Sequence, residues 1–175
     1  MLLNFIKKYF KYILIICILI IGLSSFLLFK KLTIPKKVHY HAGFVVFQND
    51  KKIDFSDFRY MRVKPCTNDK GHSDSAEEVQ AEKAHLHDSV GDVVHIEAEG
   101  AKWKDLFQNI NYKIDYSKVT AYVNGNKVIN FENQKIKPEE SIIILLGENK
   151  NNHLSDAVSK SYIDEKATKS VDCGN

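Results

Sequence analysis

AHLHDSVGDVVHIEA, residues 84–98, alternates polar and apolar side chains on both sides of a turn-forming Ser89-Val90-Gly91. Successive side chains of a strand point to opposite faces, so Ala84 to Asp88 and Asp92 to Glu99 read as the two arms of a hairpin. With Val90-Gly91-Asp92 as a three-residue loop, opposed residue numbers sum to 182, which sets His87 against His95 and His85 against Glu97. Val94, Ile96 and Ala98 then share the core face, and three His and one Glu share the other. A loop one residue shorter or longer sends His95 to the opposite face. Keeping the apolar side chains together favours the first register.

A second segment has the same character. VHYHAGFVVF, residues 38–47, carries His39 and His41 in strand alternation, so five of the seven histidines fall in strand-like segments. Each His-x-His pair projects two imidazoles to one side at roughly 6 to 7 Å, within reach of a single ion bound at about 2.0 to 2.1 Å per ring nitrogen. The expected metal ligands are His85, His87 and His95, with His39, His41 and Glu97 close by, and the divalent ion such imidazoles suit is Zn or Cu. Asp88 and Glu97 are of the type that fixes ring tautomers from behind a ligand. A plain polar strand face is the competing account of all these residues.

Around these segments the pattern is of hairpins and one helix. Phe44–Phe47, Asn49-Asp50 and Lys52–Phe55 read as strand, tight turn and strand, and Val119–Val123, Asn124-Gly125 and Lys127–Phe131 repeat the scheme with a turn suited to positive φ. Trp103, Leu106, Phe107 and Ile110 recur at i, i+3, i+4 and i+7, one face of a short helix. Ser141–Leu146 (SIIILL) is apolar throughout, as for a strand covered on both faces. Residues 67–83 form an acidic insertion with a short helix over Ala76–Ala84, and residues 148–175 read as a polar C-terminal tail. The economical fold for residues 38–147 is α+β: a small mixed sheet with one packed helix, β-grasp-like.

The domain comes after a leader, residues 1–37. Tyr12–Phe29 is uncharged over 18 residues, long enough as a helix to span roughly 27 Å of bilayer, and the chain meets the lipid there, through residues 12–29. A cleaved signal peptide competes, with Gly22-Leu23-Ser24-Ser25 as its small-residue site. The apolar run resumes at Phe26-Leu27-Leu28-Phe29, which favours an uncleaved signal-anchor. An anchor this near the start delivers the C-terminal domain to the extracytoplasmic side. Cys17 lies in the span, which leaves Cys66 and Cys173 as a single pair for an oxidising compartment to join, or as two separate thiols.

Charge and composition exclude other classes. The seven Lys of residues 1–37 are unopposed by any Asp or Glu, and without them 18 basic residues stand against 22 acidic ones. The domain therefore has no generic nucleic-acid footprint. No phosphate-binding glycine motif or solenoid repeat is present. Three function classes remain: a metal-binding module, a metal-free domain docking on another envelope protein, and a zinc enzyme whose three His leave a position for water with Glu97 or Asp88 as base.

HYHAGFVVF, KIDFSDFRYM, KAHLHDSVGDVVHIEAEG and WKDLF together resemble an uncharacterised family of small membrane-anchored proteins from bacteria with reduced genomes. In that family a His-x-His strand precedes an HLHD-G-x-VIHVE hairpin and a short aromatic-faced helix. The likeness spans roughly residues 38–147 and implies the same architecture and the same interest in His39, His41, His85, His87 and His95. Some of these relatives carry a thiol-disulfide isomerase label; this chain has no Cys-x-x-Cys.

Overall fold

A computed structural model describes residues 2–33, 36–62 and 75–169. It divides into two units, residues 1–35 and 36–175. The first is helix α1, Leu2–Thr33, within which Tyr9–Phe26 has a mean hydropathy of 2.1, long and apolar enough to cross a membrane. Cys66 and Cys173 lie outside the described residues, so the expected disulfide does too.

In the second unit the chain runs β1 (Lys37–Gln48), β2 (Lys51–Lys52), α2 (Ala76–Lys83), β3 (Val93–Ala98), α3 (Trp103–Asn109), β4 (Val119–Val123), β5 (Asn126–Val128), β6 (Ser141–Leu146) and α4 (Lys160–Lys169). The sheet order is β2-β1-β6-β4-β5, with β3 added on β1. β1 and β6 are parallel from Gly43↔Ser141 to Gln48↔Leu146, and the other pairs are antiparallel. Setting β3 aside, two hairpins flank a parallel central pair and α3 covers one face, which is the β-grasp arrangement.

Both expected turns form. Asn49 (φ 51) with Asp50 (φ 61) and Asn124 (φ 47) with Gly125 (φ 80) take the left-handed conformation that a two-residue hairpin turn requires. β2 and β5 are shorter than the sequence suggests: Phe131 leaves the ladder for a 3-10 turn over Phe131–Asn133 that buries its ring. SIIILL lies at the centre of the sheet, buried along all but its last residue.

The main core lies on the even-numbered side of β1. Ala42, Phe44 and Val46 meet Val94, Ile96, Ile142 and Ile144, and Trp103, Leu106, Phe107 and Ile110 of the α3 segment close over them. The opposite side holds Val45, Phe47, Ile143 and Leu145, which pack against Ala157 and Val158. The C-terminal segment, expected as a polar tail, is therefore part of the domain. His153 stacks on Phe47 with ring centroids 3.8 Å apart and bonds Asp50 at 3.0 Å, and Ile163 of α4 is buried. Its apolar residues are too few to show a period yet enough to cap one strip of sheet. Gly43 makes this possible: a Cβ there would lie 2.5 Å from the Val158 Cβ.

Candidate metal centre

The histidine segments are placed by three neighbouring stretches of backbone. His41 is the registered partner of His95 between β1 and β3, and His85 pairs with His95 on the other side of β3, exchanging N–H to C=O bonds of 3.0 and 2.9 Å. The imidazoles of three adjacent segments thus stand in a row on the sheet face turned away from the α3 core. A bulge in β1 between Lys37 and Tyr40 adds one residue opposite β3 and draws His39 in, with its ring centroid 4.9 Å from that of His41.

This register corrects the one expected from sequence. Opposed numbers sum to 180 rather than 182, since His85, not His87, faces His95. The first arm of the hairpin is a pair of isolated bridges at His85 and Leu86, not a strand over Ala84–Asp88. The reversal occurs earlier, at Asp88 (φ 57) and Ser89 (φ 55), closed by the Val90 N–H donating to the His87 carbonyl at 3.1 Å. Gly91 then passes so close to the Phe55–Ser56 backbone that a Cβ would fall 2.4 Å from the Ser56 nitrogen. That contact fixes the remainder of the loop. A slip of two residues preserves which face each side chain takes, so the His and Glu97 stay together although their partners change.

The donors converge most closely at His39, His41 and His95, one ring nitrogen from each lying within 4.8 Å of the others. The His41 Nε2 is 3.0 Å from both ring nitrogens of His95. Two ligands at a tetrahedral site with bonds of about 2.0 to 2.1 Å stand about 3.3 Å apart, so the nitrogens are already near ligand spacing. His87 lies beside them, its ring centroid 3.5 Å from that of His95. His85 stands farther off, with centroids 5.9 Å from His95 and 5.8 Å from His87. Its Nδ1 bonds the Ala81 carbonyl at 3.1 Å, and its Nε2 is 3.9 Å from a Glu97 oxygen. Glu97 in turn pairs with Arg62 at 3.4 Å, outside the converging set.

The electrostatics keep His41, His85 and His95 neutral. Burial, reinforced by neighbouring imidazoles, pushes His41 down to about 4. Burial and the adjacent Arg62 guanidinium push His85 down to about 3. His95, walled in by burial and by His41, His87, His85 and His39, is driven well below the usual range. At neutral pH these three rings carry lone pairs instead of charge, the state a metal requires. The site grades from the exposed His39 through the half-buried His41 to the buried His95.

The support behind the site is not legible in the sequence. The Asn109 Nδ2 donates to the carbonyls of Gln80 (2.9 Å) and Ala84 (2.7 Å), tying α2 to α3 and fixing the backbone that enters His85. Asp105 accepts from the Lys102 N–H (2.8 Å) and Gln80 Nε2 (3.2 Å) and pairs with Lys83 at 3.5 Å. Arg62 donates its backbone N–H to the Leu86 carbonyl at 2.7 Å. No spacing rule marks such residues, because their partners lie on other elements.

Comparison with known proteins finds no family model, curated protein or solved structure that matches this chain significantly.

Proposed function

We propose that this chain is a membrane-anchored, extracytoplasmic protein whose domain binds one divalent transition metal, Zn or Cu, on its histidine face. The observation that carries the reading is the convergence of His39, His41 and His95 within 4.8 Å, running from an exposed ring to a buried one, where a solvated surface would have separate rings. Polar side chains on a strand face that served only solubility would point into water, yet His95 is 4 % exposed and ringed by other imidazoles. The helix α1, with its Tyr9–Phe26 span, supports the anchoring half of the reading. The extracytoplasmic placement belongs to the same proposal and follows from reading α1 as a signal-anchor.

The test is metal content of the purified full-length chain in detergent at neutral pH. One equivalent of Zn or Cu is expected, with a rise in melting temperature on loading, since an ion held only by the folded state stabilises it by mass action. His95→Gln removes the buried ring shared by the two closest imidazole pairs and should abolish stoichiometric uptake. His153→Gln, on the Phe47 stack, should leave it intact. A parent protein that binds neither metal leaves the metal-free docking domain as the reading.

A further inference from the structure

The two hairpins of the domain end differently. Between its turn and the next buried Phe the first runs Lys51-Lys52-Ile53-Asp54, and the second runs Asn126-Lys127-Val128-Ile129-Asn130, one residue more. In the first, Ile53 is half-buried and donates its N–H to the Val46 carbonyl at 2.8 Å, and Lys52 pairs with Asp92 at 3.7 Å. In the second, Asn130 takes the left-handed conformation (φ 51), Phe131 turns into the core, and Ile129 is left 80 % exposed. Its carbonyl accepts from the Gln134 Nε2 at 3.2 Å, which fixes the backbone there. A lone exposed apolar side chain is ordinary, but this one follows directly on a strand that is both a sheet edge and the wall of a groove.

β5 ends its side of the sheet. The pair Val123↔Asn126 closes the two-residue turn, so the next pair, Tyr122↔Lys127, is of the kind that exchanges no hydrogen bonds, and the Lys127 N–H and C=O face away from β4. Between the hairpin and residues 134–140 lies a groove of about 550 Å³. Val123, Val128 and Pro138 give it apolar lining, Lys135 and Lys137 give it charge, and Glu140 also lines it, its carboxyl accepting from the Lys137 N–H at 2.9 Å. Among the described residues, Lys127 and Lys135 make no ion pair, and Lys137 acts on Glu140 only at a distance.

We propose that the β5 edge is a docking strand for an extended segment of a partner protein that alternates apolar and carboxylate side chains. Such a segment pairs with the outward N–H and C=O of Lys127 and sends alternate side chains to the two faces of the sheet. Apolar ones meet the groove, and the carboxylates answer the three lysines. A second copy fits poorly, since two-fold pairing of β5 with itself about Lys127 sets like charges directly opposite each other. Lipid headgroups could answer the lysines but carry no backbone ladder for the edge. A short edge strand bearing Lys is also a guard against aggregation, which is how β2 reads; an exposed Ile at the strand end and an apolar groove beside it do the opposite. The inference is independent of the metal reading.

The probes are two pools of octapeptides, in which Val, Ile, Leu or Phe alternates with Asp or Glu in one and with Lys or Arg in the other. The full-length chain in uncharged detergent micelles is passed over each immobilised pool, and its amide hydrogen exchange is followed by mass spectrometry with each pool free in solution. The acidic pool should retain the chain, less so at higher salt, and slow exchange across residues 126–129; the basic pool should do neither. Ile129→Ser should weaken retention about 10-fold or more, and at 80 % exposure the substitution disturbs no packing. Lys127→Glu combined with Lys135→Glu and Lys137→Glu should transfer the preference to the basic pool.

No retention on the acidic pool, equal retention on both, or retention that Ile129→Ser leaves unchanged overturns the inference. So does slowed exchange across residues 126–129 in micelles doped with phosphatidylglycerol but not with the acidic pool, which would make the edge a lipid contact. Protection of the same residues by dimerisation without peptide overturns it as well. Should the triple variant lose its far-UV circular dichroism, Ile129→Ser decides alone.

Discussion

Acid should destabilise the metal-free domain with a steepness set by how many imidazoles it keeps neutral. His85 and His95 are buried and strongly depressed, and the half-buried His41 is pushed down to about 4. In the unfolded chain each returns to about 6.5. Below that value the unfolded state binds protons that the folded state refuses. The stability these rings contribute is therefore complete above about pH 6.5 and is lost as pH falls toward about 4. Each refused proton contributes about 1.4 kcal/mol per pH unit. Counting His85 and His95 in full and discounting the partly solvated His41, the slope is about 3 to 4 kcal/mol per pH unit. Against a typical domain stability of about 5 to 15 kcal/mol, such a slope is enough to unfold the protein before most carboxylates titrate.

The assay is urea unfolding of residues 36–175, monitored by far-UV circular dichroism with chelator present, in steps between about pH 6 and pH 5. The fragment suits this because, among the described residues, every buried core residue lies at Ala42 or beyond. His153 titrates the other way: its bonds to Asp50 and Asp156 raise its pKa. Its contribution is fully present below about pH 6.5 and is lost as pH rises through the raised value, so it does not enter the slope. His95→Gln should lower the slope by about 1.4 kcal/mol per pH unit. A parent slope worth one proton or less would mean that the rings ionise in the folded protein, and the account of the buried row would be wrong.

Three further outcomes are expected. The full-length chain should fractionate with membranes and residues 36–175 should be soluble; a mature protein beginning near Ser25 or Phe26 would show a cleaved signal instead. Cys66 and Cys173 should be joined in the exported protein, and native mass spectrometry finding both thiols alkylated without reduction would refute it. Gly43→Ala should lower stability by about 1 to 3 kcal/mol through overpacking against Val158, with α4 amides exchanging faster; an unchanged melting temperature would deny that α4 is held there.

The features legible in the sequence are those that local pattern determines. Asn49-Asp50 and Asn124-Gly125 specify turns by backbone conformation, and Trp103, Leu106, Phe107 and Ile110 specify a helix face by their period. SIIILL marks the central strand by having no polar side at all. The histidine face is legible because alternation alone puts His85, His87 and His95 on one side. Which strand lies next to β3 has no such mark. That choice sets His41, 54 residues away in sequence, against His95, and it comes from long-range pairing with no local signature. The difference in register has a local cause. Gly91 attracts the turn assignment away from Asp88-Ser89, yet its role is a close approach to the Phe55–Ser56 backbone.

The odd-numbered side of β1 shows why the site lies where it does. From Gly43 onward those positions are Gly43, Val45 and Phe47, small or apolar, and the segment from His153 to Ile163 covers them. Before Gly43 they are His39 and His41, on the same strand and beside β3 instead of β6. A β-grasp sheet needs only one face for its main core, here the α3 face, which leaves the second face to be closed some other way. Over one half of β1 the chain closes it with its own C-terminal residues. Over the other half, His39, His41 and His95 crowd together with donor nitrogens within 4.8 Å of one another, and in the reading proposed above an ion would turn that proximity from a desolvation cost into bonds.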